Sequence, residues 1–109
     1  MPEGPVPPAA VVRISRGNFA PERFAEVHET TLATTSYLVP AIKALPGLIR
    51  YYAGTSPDGS VVHVSIWKSA EHAEQMSRLK EMIVDTRQAY VKAGVTFTAI
   101  VNYPIDWTI

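Results

Sequence analysis

The order of apolar and polar positions divides the chain into six elements. AVVRIS, Ala10 to Ser15, alternates and is rich in β-branched residues, which predicts a strand with Val12 and Ile14 on one side and Val11, Arg13 and Ser15 on the other. From Glu22 to Val39, Phe24, Val27, Thr31, Thr35 and Leu38 recur every three or four residues, the spacing of one helical stripe. Pro21 suits the first turn of that helix, where its missing N–H has no partner to lose. Pro40 is expected to end or kink it, with AIKAL adding one more turn before Pro46-Gly47. Leu48 to Gly54 and Val61 to Trp67 are again strand-like. The SPDGS between them has the chemistry of a tight turn, so an antiparallel hairpin is expected. Ser69 then stands as a helix N-cap, with Glu71 near the positive end of the helix dipole. That helix is expected to reach Ala93 with a break near Ser77, carrying Met76, Ile83 and Tyr90 on one stripe and Gly94 as its C′ residue. Val95 to Tyr103 is the last strand, ended by Pro104.

The order β-α-β-β-α-β predicts an α+β fold of ferredoxin-like type, a four-stranded antiparallel sheet with both helices on one face. Val12, Ile14, Val62, Val64 and Ile66 are expected to pack against the helices. The opposite face then carries Arg13, Ser15, His63, Ser65 and Trp67, with Thr96, Thr98, Asn102 and a tyrosine of the Tyr51-Tyr52 pair. Such a mixed polar and aromatic face suits contact with a second copy, so a homodimer is expected. Residues 1–9 read as a proline-rich flexible arm, 10–103 as the folded domain, and 104–109 as an apolar tail that packs on the dimer partner.

Bulk properties narrow the function classes. Ten basic residues balance ten acidic ones without runs of either sign, so neither nucleic acid nor an anionic membrane is an expected partner. The absence of cysteine excludes disulfides and thiolate metal sites. No apolar run approaches a membrane span, and MPEGPVPP lacks the features of a signal peptide, so a cytoplasmic protein is expected. The three histidines are spread along the chain, and no metal site is expected. No glycine-rich phosphate loop and no G-x-S-x-G motif occurs.

Pro46-Gly47 leading into a strand, a hairpin, and then Trp67, Ser69 and Glu71 opening a helix form a pattern. With it, the chain from about Val11 to Tyr103 resembles the antibiotic biosynthesis monooxygenase-like (ABM) domains of the dimeric α/β-barrel superfamily. The resemblance implies a dimeric barrel of two such domains and a pocket bounded by the tryptophan. Members of the superfamily include cofactor-free oxygenases of aromatic polyketides, heme-degrading enzymes, isomerases and cyclases. The heme-degrading members imply an asparagine on the first strand and a helical histidine about ten residues after the tryptophan. Here Met76 and Ser77 stand nine and ten residues after Trp67, His72 only five, and AVVRIS holds no asparagine, so no heme and no other cofactor is expected. The quinone-forming members imply a polar residue four positions before the tryptophan, where this chain has His63.

On that resemblance the candidate catalytic groups are His63, able to act as a base near neutral pH, and His28, expected to point from the first helix toward the sheet. Trp67, Tyr51, Tyr52 and Arg13 are the candidate substrate contacts. Each has a purely structural alternative: His63 as a dimer contact, His28 as a core histidine, Trp67 as a sheet anchor, Arg13 in a cross-dimer ion pair. By strict alternation Trp67 points away from the helices. The resemblance puts it in a pocket beneath them, which a β-bulge late in the third strand would reconcile. Two functions follow: a cofactor-independent monooxygenase acting on a small aromatic or polyketide-like substrate, or a dimeric small-molecule-binding or stress-related accessory protein or non-oxidative isomerase or cyclase.

Overall fold

The computed structural model describes residues 6–109, so the first five residues of the expected proline-rich arm lie outside it. β1 (Val11–Asn18) is the centre of the sheet. On one side it pairs antiparallel with β3 (Ser60–Trp67), which pairs in turn with β2 (Leu48–Ser56). On its other side lie β4 (Thr96–Phe97) and β5 (Val101–Pro104), two halves of the expected last strand. Residues 98–100 leave the ladder between them, and Thr98 holds the break in place by donating from its N–H and its hydroxyl to the Arg16 carbonyl. The order β2-β3-β1-β4/β5 is the expected ferredoxin-like sheet with its fourth strand broken.

The hairpin turn follows the expected chemistry. Gly59 takes the left-handed φ of 108°, and Ser60 donates its hydroxyl to the Asp58 carboxylate at 3.0 Å. Gly47 also has a positive φ, 86°, and the His72 ring lies where its Cβ would be. Gly47→Ala is therefore expected to lose about 2 kcal/mol of stability, read as a lower thermal midpoint, because left-handed backbone and a displaced ring act together.

The first helical segment breaks where hydroxyls crowd. A 3-10 turn at Pro21–Arg23 leads into α1 (Phe24–Ala33), and α2 (Thr35–Lys43) follows after Thr34. Thr34, Thr35 and Ser36 each donate to a carbonyl three residues back, competing with the helical ladder at the break. Pro40 lies inside α2, which continues past it to Lys43, the further turn expected of AIKAL. Beyond Trp67, Ser69 caps α3 (Ala70–Glu74) by accepting from the His72 N–H at 3.2 Å. A 3-10 turn (Gln75–Arg78), extended Leu79 and a π-helical stretch (Glu81–Thr86) then lead into α4 (Arg87–Lys92). Gly94, φ 94°, terminates it.

The assignment of sheet faces is reversed from expectation. Val11 and Trp67 pack with Leu38, Ile42, Ala73 and Met76 of the helical layer, and Val61 packs with Val27 and Tyr90. The helices thus cover the row Val11, Arg13, Val61, His63, Ser65 and Trp67, while Val12, Ile14, Val62, Val64 and Ile66 face away, each partly exposed. Alternation along β3 is unbroken against β1, so no bulge turns Trp67 inward. Under the helices the polar row finds hydrogen-bond partners, and the β-branched row is left as an apolar outer sheet surface.

The same geometry places three further residues away from their expected positions. His28 is exposed and stacks on Phe24, ring centroids 5.5 Å apart, because Val27 and Thr31 are the α1 residues that turn to the core. Tyr52 is opposite Val64 in the ladder, on the outer face, and 55% exposed. β1 runs three residues further than expected and ends on Asn18, so the first strand does hold an asparagine. That residue is exposed, with Ser60 and Thr96 as its ladder partners.

Candidate functional site

The ladder registers place Tyr51, Ser65 and Arg13 side by side across β2, β3 and β1 on the helix-facing side. His63, two residues from Ser65, lies on the same face, flanked in the ladder by Ser15 and Ala53. Over this row the π-helical stretch and α4 stand off from the sheet, and the break at residues 98–100 brings Thr98 and Ile100 in from the side. The result is a cavity of about 280 Å³. Its walls are mainly apolar, from Met76, Met82, Ile83, Phe97 and Ile100, with Arg13, Tyr51, His63, Ser65 and Tyr90 as its inner polar groups.

Those polar groups form a chain. The Tyr51 hydroxyl lies 2.6 Å from His63 Nδ1, and His63 Nε2 lies 2.9 Å from the Tyr90 hydroxyl. Tyr90 continues to Thr31 Oγ1 at 2.8 Å. Both tyrosine rings meet the imidazole edge-on, at centroid distances of 5.6 and 5.7 Å. Both ring nitrogens of His63 are therefore occupied, and its hydrogen bonding toward a ligand runs through the hydroxyls of Tyr51 and Tyr90. Arg13, buried beside them, donates to Ser77 Oγ at 3.1 Å. Arg87 lies over the Phe97 ring, 5.2 Å from its centroid.

Burial determines the charge state of the chain. It lowers the His63 pKa from 6.5 to about 4, so the imidazole is neutral at neutral pH. Burial raises Tyr90 to about 12, with the Thr31 hydrogen bond opposing. It pushes Tyr51 higher still, with Tyr90 adding to the rise and Arg13 opposing it. Burial also lowers the pKa of Arg13, against the attraction of Glu74 and Tyr51. The cavity thus offers neutral hydrogen-bonding groups beside a cationic guanidinium.

A pH dependence of stability follows. Because the folded pKa of His63 lies below its unfolded value, the unfolded chain binds the extra proton between about pH 6.5 and 4. The stability is fully present above pH 6.5 and is lost as pH falls toward 4. Denaturant titrations across that window are expected to show a loss approaching ~3 kcal/mol from this residue, and His63→Gln is expected to flatten the slope.

Of the six residues singled out by sequence, the fold brings Arg13, Tyr51 and His63 together at the cavity. Trp67 is fully buried beneath it, outside its lining, with its indole N–H donated to Ser65 at 2.8 Å. His28 and Tyr52 lie elsewhere. Tyr90, Ser65 and Thr31 escaped the sequence reading as site residues. The one signal for Tyr90 was a phenol tip on an otherwise apolar helical stripe, where the hydroxyl of a buried tyrosine needs a partner. Among the described residues, no three His, Asp or Glu side chains gather as a metal site, and no helix is long and apolar enough to cross a membrane.

No protein-family description and no curated protein matches this chain. Solved structures do. SnoaB, a cofactor-independent oxygenase from Streptomyces nogalater solved as a mutant, is 17% identical with a TM-score of 0.65, covering 93% of this chain and 97% of its own. The monooxygenase ActVA-Orf6 of Streptomyces coelicolor, solved with the ligand nanaomycin D, is 18% identical with a TM-score of 0.63, covering 93% and 91%. A dimeric ferredoxin-like protein from an uncultured marine organism reaches a TM-score of 0.70 at 12% identity, covering 92% and 98%. The chain has the ferredoxin-like α+β fold of these proteins. Identity at this level establishes the fold alone, and that fold carries more than one chemistry.

Proposed function

We propose that the protein is a homodimeric, cofactor-independent monooxygenase that oxidises a small phenol or hydroquinone of aromatic or polyketide type with molecular oxygen. The observation that carries this reading is the chain Tyr51–His63–Tyr90, opening together with Arg13 onto a largely apolar cavity. A volume of about 280 Å³ suits a substrate of one or two rings. The likeness in fold to SnoaB and ActVA-Orf6 supports the same class.

The substrate phenol hydrogen-bonds to Tyr51, and Arg13 faces its oxygen. With a pKa of about 4, His63 takes the proton through Tyr51 only as the ring loses an electron and its hydroxyl becomes strongly acidic. That electron passes to oxygen, the radical pair combines at a ring carbon as a peroxide, and the peroxide takes the proton back from His63 as the hydroperoxide. The C–H proton at that carbon then leaves with the distal oxygen as water. One oxygen atom remains as the quinone carbonyl, so phenol plus O2 gives quinone plus water. The protein excludes water, orients the ring and holds the proton.

Oxygen uptake by metal-free protein with a panel of hydroquinones, naphthols and anthrones is the direct test. Turnover that falls with His63→Ala is expected. Tight binding of such phenols without oxygen uptake would favour the accessory-protein or non-oxidative reading.

The dimer is supported by the outer sheet face. Val12, Ile14, Val62, Val64 and Ile66 run beside Tyr52, Val101 and Tyr103, the last two 40% and 50% exposed, and Trp107 of the tail is 76% exposed. Apolar surface of this extent calls for a partner, and the marine protein of the same fold is dimeric. Light scattering is expected to give twice the chain mass, and Val64→Asp, a charge at the centre of the face, is expected to give monomer. A wild-type monomer would remove the dimer from the proposal.

A further inference from the structure

The hydrogen bonds behind His63 contain information about direction. Thr31 Oγ1 lies 3.0 Å from the Val27 carbonyl, 2.8 Å from Tyr90 Oη and 3.1 Å from Thr55 Oγ1. A carbonyl only accepts, and Thr31 has one hydroxyl proton. If Thr31 gives it to Val27, its two lone pairs accept from Tyr90 and from Thr55, and every contact is made. Tyr90 Oη then accepts from His63 Nε2–H, and His63 Nδ1 accepts from the Tyr51 hydroxyl. The opposite arrangement starts from Thr31 donating to Tyr90. It loses the Val27 bond and leaves the Tyr51 proton directed into the cavity without a protein acceptor. Arg13, the cation beside Tyr51, disfavours that proton orientation as well. The chain therefore has one preferred polarity, set at its far end by a residue outside the cavity lining.

We infer that Thr31 is a specificity-positioning residue: through Tyr90 and His63 it holds Tyr51 as a hydrogen-bond acceptor, so that the cavity favours ligands presenting a hydroxyl there and disfavours their carbonyl counterparts. This rests on the reading of the cavity as a phenol site, and it adds a consequence. A hydroquinone O–H meets the Tyr51 lone pairs productively, whereas a quinone oxygen at the same point sets acceptor against acceptor. To donate to the quinone, Tyr51 must either leave the buried His63 Nδ1 unpaired or reverse the whole chain, which costs Thr31 its bond to the Val27 carbonyl. Substrate is thereby retained and oxidised product released. His63 acts on the ligand oxygen through Tyr51.

Thr31→Val removes the hydroxyl with little change in volume. Tyr90 then has no acceptor at Thr31, turns its proton to His63 Nε2, and the proton on the imidazole moves to Nδ1, donating to Tyr51. The experiment is 15N-detected NMR of the histidine ring nitrogens in ligand-free protein, with anaerobic titration of a matched hydroquinone and quinone. The wild type is expected to show the Nε2–H tautomer at His63 and to prefer the hydroquinone. Thr31→Val is expected to show Nδ1–H and to shift the hydroquinone-to-quinone affinity ratio on the order of tenfold toward the quinone, the worth of about one hydrogen bond. Thr31→Ser, which keeps the hydroxyl, is expected to behave as wild type.

A wild-type spectrum with Nδ1–H overturns the inference, as does a folded Thr31→Val protein with an unchanged tautomer or an unchanged affinity ratio. If the valine variant does not fold, Thr31→Ala removes the same hydroxyl and is read in the same way. The tautomer is measured without turnover. An inert protein with the expected tautomer switch would remove the oxygenase reading and leave the polarity of the chain standing.

Discussion

Tyr51→Phe is expected to lower oxygen uptake with a turned-over hydroquinone by about 10²-fold or more while leaving the fold intact. Tyr51 Oη is where the hydrogen-bonded chain meets the cavity, and it is 2.6 Å from His63 Nδ1. Phenylalanine fills the same space but breaks the path between substrate hydroxyl and imidazole. Positioned proton transfer of this kind is worth roughly 10²–10⁴ in rate. The loss is expected in kcat, with circular dichroism and oligomeric mass unchanged. A folded Tyr51→Phe protein that turns over at the wild-type rate would take Tyr51 out of the reaction and the proposed mechanism with it.

Trp67→Ala is expected to be strongly destabilising, more so than Gly47→Ala. The side chain is fully buried among Val11, Leu38, Ile42, Ala73 and Met76, and its N–H is satisfied by Ser65. Removing it opens a cavity and leaves the Ser65 hydroxyl without that donor. Large-to-small changes of this type cost roughly 3–5 kcal/mol, a large part of the ~5–15 kcal/mol that holds a domain of this size. A thermal midpoint lower by roughly 15–30 °C, followed by circular dichroism, is the expected reading. A shift of a few degrees would place Trp67 outside the core. Loss of activity in this variant would report unfolding, since Trp67 does not line the cavity.

The two substitutions separate what the third strand does. Val61, His63, Ser65 and Trp67 share one face, yet only the middle pair reaches the cavity, while Val61 and Trp67 anchor two clusters of core residues on either side. Alternation was legible in the sequence, and so was the likelihood that this polar-aromatic row had partners to find. What it would find was not legible. The β-branched row Val12, Ile14, Val62, Val64 and Ile66 has the composition of a core, and on composition it belongs under the helices. It lies on the outside because a sheet that is covered on both faces needs two apolar sides, and on the proposed reading the second cover is another copy of the chain.

Local chemistry, by contrast, was read with few errors. Ser69 caps its helix, Gly94 ends the last one, Pro57-Asp58-Gly59 turns the hairpin, and Gly47 precedes β2 with a positive φ. Each of these depends on residues within a few positions of one another. The helix break at Thr34 is the exception: it lies ahead of Pro40, at the crowded hydroxyls, and the helix that follows runs through the proline.

The sequence by itself determined the order of the elements, their turns and caps, and which residues share each strand face, because period, capping and turn chemistry act over a few residues. The tertiary structure alone decided which face meets the helices, since a period of two names a row and leaves its direction open. It also turned His28 out to solvent, off the stripe of Val27 and Thr31 that the spacing had marked. And it alone brought Arg13, Thr31, Tyr51, His63 and Tyr90 from five separate elements to one place. Their contacts, 12 to 27 residues apart between Tyr51, His63 and Tyr90, are made by packing at a distance in sequence over which no local pattern reaches.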